Sequence, residues 1–287
     1  TGGAAAFDPA SGKTRQFKGL SQAEQIAHLN GLIYFGLYPR ARVHAFDPAA
    51  PWTAPDGNPQ LIATLEDQSR PVAMLGVPEL GKLLIGTIPE YGRLGGMLAM
   101  WDATARRLAT FDGVMPRQSI ASLAFAERMV IGGTTVQGGL GVEPVETEGR
   151  LFLWDPQEGR KLFETVPVPG RRIVSGLLPR PAGTVWGFAE GAFFVFDLRS
   201  RTVTHRDESF RPDFTSRALW QDATLVAHPG GDVFAVEHDR FLRIDGRTRT
   251  ITVLRTGLEH KHTRPMTVDR TGRIYFGDGH RLWRYGP

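Results

Sequence analysis

Arginine heads four of the apolar segments that this chain repeats. Arg70 precedes PVAML, Arg117 precedes IASLAF, Arg172 precedes IVSGLL and Arg264 precedes MTV. Arg217 lies in a fifth connection of the same kind, and Arg40 lies in a neighbouring loop with Arg42. Guanidinium groups brought together suit a planar carboxylate or phosphate, because each offers paired N–H donors. A local reading stands beside this one. Each arginine can pair with an acid in its own loop, such as Glu66, Asp67, Asp213 or Glu259. Repeats inherit structural residues as readily as functional ones.

Other side chains extend the chemistry. His260 and His262 flank Lys261. An imidazole titrates near neutral pH and can act as a general base, or the pair can simply be solvated. An H-x-H pair can also ligate a metal, but no third ligand stands at useful spacing, so no metal site is assigned. The cofactor is therefore unknown: a divalent metal would be compatible, and none is required. His28 sits in an apolar segment that is expected to line a channel. Tyr38 and Tyr91 lie in Pro-containing loops and can serve as hydroxyl donors, as sugar-stacking platforms or as packing.

These residue types match β-elimination from a uronic acid. That reaction needs a cation on the carboxylate, for which Arg70, Arg172 and Arg264 are candidates. It needs a base, His262 or His260 with His28 next in line, and an acid, Tyr38 or Tyr91. A lyase for an anionic polysaccharide or oligosaccharide is thus the first expectation. A non-catalytic domain binding an acidic glycan or protein partner is the second. The basic residues form no continuous stripe with exposed aromatics, so nucleic acid is not an expected partner. The loop GGTTVQGGLG (132–141) lacks the Gly-Lys-Ser/Thr end of a phosphate-binding loop and opens no helix. It reads as an excursion in which the backbone approaches a ligand or a neighbouring loop.

The elements that must position these groups come from one repeated phrase. LFLWDPQEGR (151–160) recurs as AAAFDPASGK, VHAFDPAAP, MLAMWDATAR, FFVFDLRSRT, FLRIDGRTRT and RLWRYGP. Asp ends a strand, its carboxylate accepts backbone N–H groups two residues on, and Pro or Gly completes the turn. A further strand follows each phrase except the last, RLWRYGP. Before all but the first stand two more, as in IAHL and LIYFG. The unit is four antiparallel strands, A to D. Its markers, Asp8, Asp47, Asp102, Asp155, Asp197, Asp245 and Tyr285, are spaced by 39, 55, 53, 42, 48 and 40 residues. Such spacing predicts an all-β fold, a β-propeller of four-stranded antiparallel blades. Seven visible phrases favour seven blades over six. Residues 1–287 read as one domain, with an N-terminal strand pairing beside the C-terminal blade to close the ring and remove an exposed edge.

The DPASGK and WDPQEGR turns, with their IYFG-type B strands, resemble bacterial quinoprotein-like and streptogramin-lyase-like propellers. That resemblance implies the fold, and it makes a lyase assignment reasonable. WD-repeat proteins are similar only in the Trp-Asp pairs at 101–102 and 154–155, since their Gly-His dipeptide is missing. Loops joining B to C and D to A are the elaborate ones, so the ligand is expected at that end of the blades.

Composition fits this frame. The 287 residues include 34 Gly and 20 Pro, as many short strands and tight turns require. The net charge is +4, a mild excess, and there is no cysteine, which excludes disulfides and thiolate chemistry. No apolar run reaches the roughly 18–20 residues that span a bilayer, so no membrane partner is expected. The first residue is Thr rather than Met, in keeping with processing and with an expected secreted or periplasmic location.

Overall fold

The computed structural model describes residues 2–210, 220–221, 223–259 and 265–286. They form two compact units. The first comprises residues 1–120 and 138–143, the second 121–137 and 144–287.

In the first unit, β1 (Gly3–Phe7) and β2 (Thr14–Lys18) make a two-stranded antiparallel hairpin. The first blade is β3 (Gln22–Leu29), β4 (Leu32–Tyr38), β5 (Arg42–Phe46) and β6 (Gln60–Thr64). The second is β7 (Gln68–Val77), β8 (Lys82–Pro89), β9 (Leu98–Asp102) and β10 (Arg107–Phe111). The third blade is β11 (Ser119–Ala126), whose residues from Ala121 on belong to the second unit, with β12 (Met129–Thr135), β13 (Leu151–Asp155) and β14 (Arg160–Thr165). There too lie β15 (Ser175–Arg180), β16 (Thr184–Ala189), β17 (Ala192–Asp197) and β18 (Thr202–Asp207), the fourth blade. The fifth is β19 (Ala223–Ala227), β20 (Val233–Glu237), β21 (Arg240–Ile244) and β22 (Ile251–Arg255). A three-stranded sixth consists of β23 (Met266–Val268), β24 (Ile274–Asp278) and β25 (Arg281–Tyr285).

The fold is therefore an all-β propeller of antiparallel blades, and among the described residues the blades number six. The expectation of seven is overturned by the N-terminal phrase. An Asp turn is enough to make a hairpin, and here it makes only that: β1 and β2 pair with each other as a two-stranded sheet and not as part of a four-stranded blade. Within the first unit the hairpin is held by Trp52. Its ring lies 4.7 Å from that of Phe17 and 5.1 Å from that of Phe46, and its Nε1 donates to the Lys18 carbonyl at 2.8 Å.

The repeated Asp acts as the sequence implies. The Asp155 carboxylate accepts the N–H groups of Gln157 (2.8 Å) and Glu158 (3.0 Å). Asp102 accepts those of Thr104 and Ala105, and Asp245 those of Arg247 and Thr248. These bonds hold the three carboxyls below the usual carboxylate range. Core formation follows from the strands that precede each turn. B and C strands are buried on both sides, as in the four consecutive buried residues Leu151–Trp154, whereas D strands such as β10 alternate towards solvent. Apolar side chains of consecutive blades interleave. Leu29 and Tyr34 of the first blade pack with Leu83, Ile85 and Trp101 of the second. Ile131 and Leu153 of the third pack with Val185, Phe194 and Phe196 of the fourth.

Candidate functional site

The first unit brings three of the sequence-identified residues together. Tyr38 ends β4, and Tyr91 lies in the loop between β8 and β9. Their hydroxyls are 2.9 Å apart. The guanidinium carbon of Arg70, on β7, lies 3.9 Å from the centre of the Tyr38 ring, a cation–π contact. The Tyr38 hydroxyl is pushed above its ordinary value of 10.0, first by the hydrogen bond with Tyr91. Partial desolvation and the neighbouring Tyr91 and Glu90 act in the same direction, and Arg70 opposes them. A phenol shifted this way is a weaker proton donor at neutral pH than an ordinary tyrosine.

Arg70 is not aimed at solvent. It forms an ion pair with Glu24, and the two residues are 8% and 2% exposed. Glu24 Oε1 also accepts from Gln22 Nε2 at 2.8 Å. A bulge in β3 between Ala23 and Gln25 leaves Glu24 outside the ladder register with β4. Bulges re-aim a side chain, which accounts for a carboxylate turned inward from a strand otherwise rich in exposed polar residues.

Beside this cluster opens a polar cleft of about 570 Å³. Its lining includes Glu66, Asp67, Gln68, Arg93, Thr110 and Asp112. Arg93 pairs with Asp67 at 2.8 Å. Gln68 is fixed through its Oε1, which accepts the Thr87 hydroxyl at 2.6 Å. Glu66 and Asp112 have no side-chain partner among the described residues. Three carboxylates therefore face one guanidinium. Arg93 belongs to the same loop as Tyr91, and a second loop braces that one. Gly92 N donates to Leu140 O at 2.8 Å, and Gly139 N donates to Arg93 O at 3.0 Å. A Cβ on Gly138 or Gly139 would come within 2.4 Å of Arg93 O or 2.1 Å of Glu90 O, so only glycine permits this approach. The glycine-rich loop thus meets a neighbouring loop. Tyr91, 52% exposed, and Leu140, 42% exposed, stand out from the braced pair.

The remaining candidates are placed elsewhere. Arg172 donates its backbone N–H (2.7 Å) and its Nε (2.9 Å) to Glu190, a carboxylate 6% exposed in the turn after β16. Asp278, at the end of β24, plays a similar part by accepting the Glu259 backbone N–H and Trp283 Nε1. Arg117 is exposed in a left-handed turn (φ 62°) before β11, and Arg40 is exposed in a left-handed turn (φ 65°) after β4. His28 pairs with Ile33 beside the β3–β4 turn, whereas Tyr38 pairs with Gln22. Five steps of the ladder, roughly 17 Å, separate the two positions, so His28 does not join the tyrosine cluster. His260, His262, Arg217 and Arg264 lie outside the described residues. Among the described residues, no group of three or more His, Cys, Asp or Glu is arranged to hold a metal ion.

The sequence reading missed Glu24 and Glu190, the buried acids that engage the arginines. An isolated Glu in QAEQIAHL is the signal for the first, but the bulge that turns it inward has no mark in the alternation.

No family model matches the sequence, and no curated protein matches it. Among solved structures, it is similar to the extracellular domain of a protein from B. thetaiotaomicron assigned to a one-component system. The TM-score is 0.62 at 15% identity, over 92% of this chain and 33% of that one. The chain thus spans about a third of the length of that structure. At this identity the likeness concerns the fold, and it agrees with the propeller built from the repeat.

Proposed function

We propose that this chain is a non-catalytic recognition domain that binds carbohydrate beside Tyr38 and Tyr91, and that it works outside the cytoplasm. The polar cleft next to Tyr91 carries this reading. A sugar offers apolar C–H faces to an aromatic ring and vicinal hydroxyls to paired carboxylates; Tyr91 stands on the braced loop, and that loop's Arg93 lines the cleft together with Glu66 and Asp112 from the two neighbouring connections. Tyr91 supplies the exposed ring. Glu66 and Asp112 supply acceptors without side-chain partners among the described residues, and Asp67, Gln68 and Arg93 are already fixed.

The charge balance favours a neutral sugar over a uronate. Arg70 and Arg172, assigned from the sequence to neutralise a carboxylate, each engage a buried carboxylate of the protein. Tyr38, assigned as an acid, is shifted away from donating a proton. The extracellular placement rests by analogy on the B. thetaiotaomicron domain, and fold-level analogy bears on setting, not on ligand.

The test is a titration calorimetry panel of neutral and uronate-containing oligosaccharides, with ultraviolet detection of any unsaturated product. A neutral sugar should bind, Tyr91→Ala should weaken it about tenfold or more (roughly the 1–3 kcal/mol of a stacked aromatic), and no conjugated double bond should form. Binding of uronates alone, unaffected by Tyr91→Ala, or appearance of the elimination product would overturn the proposal.

A further inference from the structure

Among the described residues, the connection between β5 and β6 is the one C–D turn that departs from the short Asp pattern. It runs from Asp47 to Pro59. Asn58 locks it: Oδ1 accepts Asp47 N–H at 2.9 Å, and Nδ2 donates to the carbonyls of Asp47, Ala50 and Pro51. Thr53 Oγ1 accepts Asn58 N–H at 2.8 Å. The loop is pre-formed, and beneath it lies a cleft of about 710 Å³.

The lining of this cleft is largely apolar. Tyr34, Leu61, Ile62, Trp101 and Ala103 contribute to it, and Leu61 is 50% exposed although it is a large aliphatic side chain. Arg106 lines it as well, from a left-handed position (φ 52°) in the turn after β9. Arg106 has no ion-pair partner among the described residues. The nearest turn acid, Asp102, bonds Thr104 and Ala105 and faces Lys82 at 3.5 Å. Asp47, the acid in the lining, spends its Oδ1 on Ala49 N–H at 2.9 Å. Burial pushes the Tyr34 hydroxyl up, and the charge of Arg106 acts against that shift, which places the guanidinium in electrostatic reach of the apolar wall. The volume lies within the roughly 300–1,000 Å³ of small-molecule sites, which are likewise mostly apolar with a few placed polar groups.

We infer that this cleft is a second binding site, for a small amphipathic anion whose aromatic or aliphatic body packs on Trp101, Tyr34 and Leu61 while its charged end meets Arg106. It lies at the opposite end of the first two blades from Tyr38 and Tyr91. The two sites are therefore independent in their residues.

The experiment is a fluorescence titration of the folded chain with anilinonaphthalene sulfonate, an aromatic sulfonate, at low salt. A parallel titration uses the uncharged phenylnaphthylamine. The sulfonate should bind saturably at one site without lowering the melting temperature, and more tightly than the neutral probe. Arg106→Gln should weaken it about fivefold, the scale of one solvent-facing charge interaction. Arg107→Gln, next in sequence but outside the lining, should leave it unchanged. Ala103→Trp should fill the cleft and abolish saturable binding. Should that variant fail to fold, Leu61→Glu at an exposed position places a repelling charge at the site and should do the same. Tyr91→Ala should have no effect. Equal binding of the two probes, or parent-like binding by Arg106→Gln together with either cleft variant, would overturn the inference.

Discussion

Replacing Arg70 by Met separates a structural arginine from a ligand-binding one. In the folded chain Glu24 is 2% exposed, and its charge is met by Arg70 and by Gln22 Nε2. Met keeps most of the side-chain volume but removes the charge, leaving a buried carboxylate with one neutral donor. Breaking a buried ion pair from one side costs about 3–5 kcal/mol, against about 0–1 kcal/mol for an exposed pair. Loss of the contact with the Tyr38 ring adds about 0.5–1 kcal/mol. At roughly 2–4 °C per kcal/mol for a chain of this size, the melting temperature should fall by about 7–24 °C. Glu24→Gln in the same background removes the stranded charge, so the double variant should regain about 2 kcal/mol over Arg70→Met alone. Urea unfolding at pH 7, followed by tryptophan fluorescence and far-ultraviolet circular dichroism, gives the four free energies of the cycle. A loss under 1 kcal/mol for Arg70→Met, with no coupling to Glu24→Gln, would refute this account and return Arg70 to the pool of ligand-binding cations.

Three further outcomes follow from the geometry. Gly139→Val should push the bracing loop off the Tyr91 loop, because its Cβ would lie 2.1 Å from Glu90 O; sugar affinity should drop about tenfold (the scale of 1.4 kcal/mol) while the core melts as before, and calorimetry with thermal denaturation reads both. His44 is buried, and burial with the nearby Arg42 holds its imidazole below the usual 6.5. Below pH 6.5 the unfolded chain takes up a proton that the folded chain refuses, so stability falls as pH drops from there, and His44→Gln should flatten that slope in pH-dependent urea unfolding. The carboxyls of Asp8, Asp102, Asp155, Asp197, Asp245 and Asp269 are held below 3.8, each mainly by turn hydrogen bonds. Their contribution is whole above that pH and is lost as pH falls through the folded values, so Asp155→Asn should show a smaller acid-side drop in melting temperature than the parent.

What the sequence displays is local chemistry with a period. Asp155-Pro156 and its cognates announce strand ends because the bonds they make reach only two or three residues on. Gly138 and Gly139 announce a close approach because only glycine permits it, and the partner proves to be the loop at 90–93. Tyr38 and Tyr91 are legible as members of equivalent loops in consecutive blades. The blade count is less legible, since Asp8 carries the turn signature without a blade behind it. Least legible are the partners of the arginines. Glu24 is separated from Arg70 by 46 residues, and the contact depends on a bulge that shifts one residue out of register.

That bulge bears on how recurrence in a repeat is to be weighed. Arginine before an A strand looks like one device used four times, and a shared ligand explains a shared position. Arg70 proves to lie inside its A strand, β7, and Arg172 three residues before β15, and they are met by different partners: Glu24 on the A strand of the preceding blade, and Glu190 in the turn after a B strand. A common ligand would require the guanidinium groups to be free in the same direction. What the two share is a need to neutralise an acid that the blade has buried, and a long side chain at or just before the start of an A strand can reach several such places. The recurring arginine then marks where the blade can accept a cation, and the ligand is better sought where polar groups stand without partners, at Glu66 and Asp112 beside Tyr91.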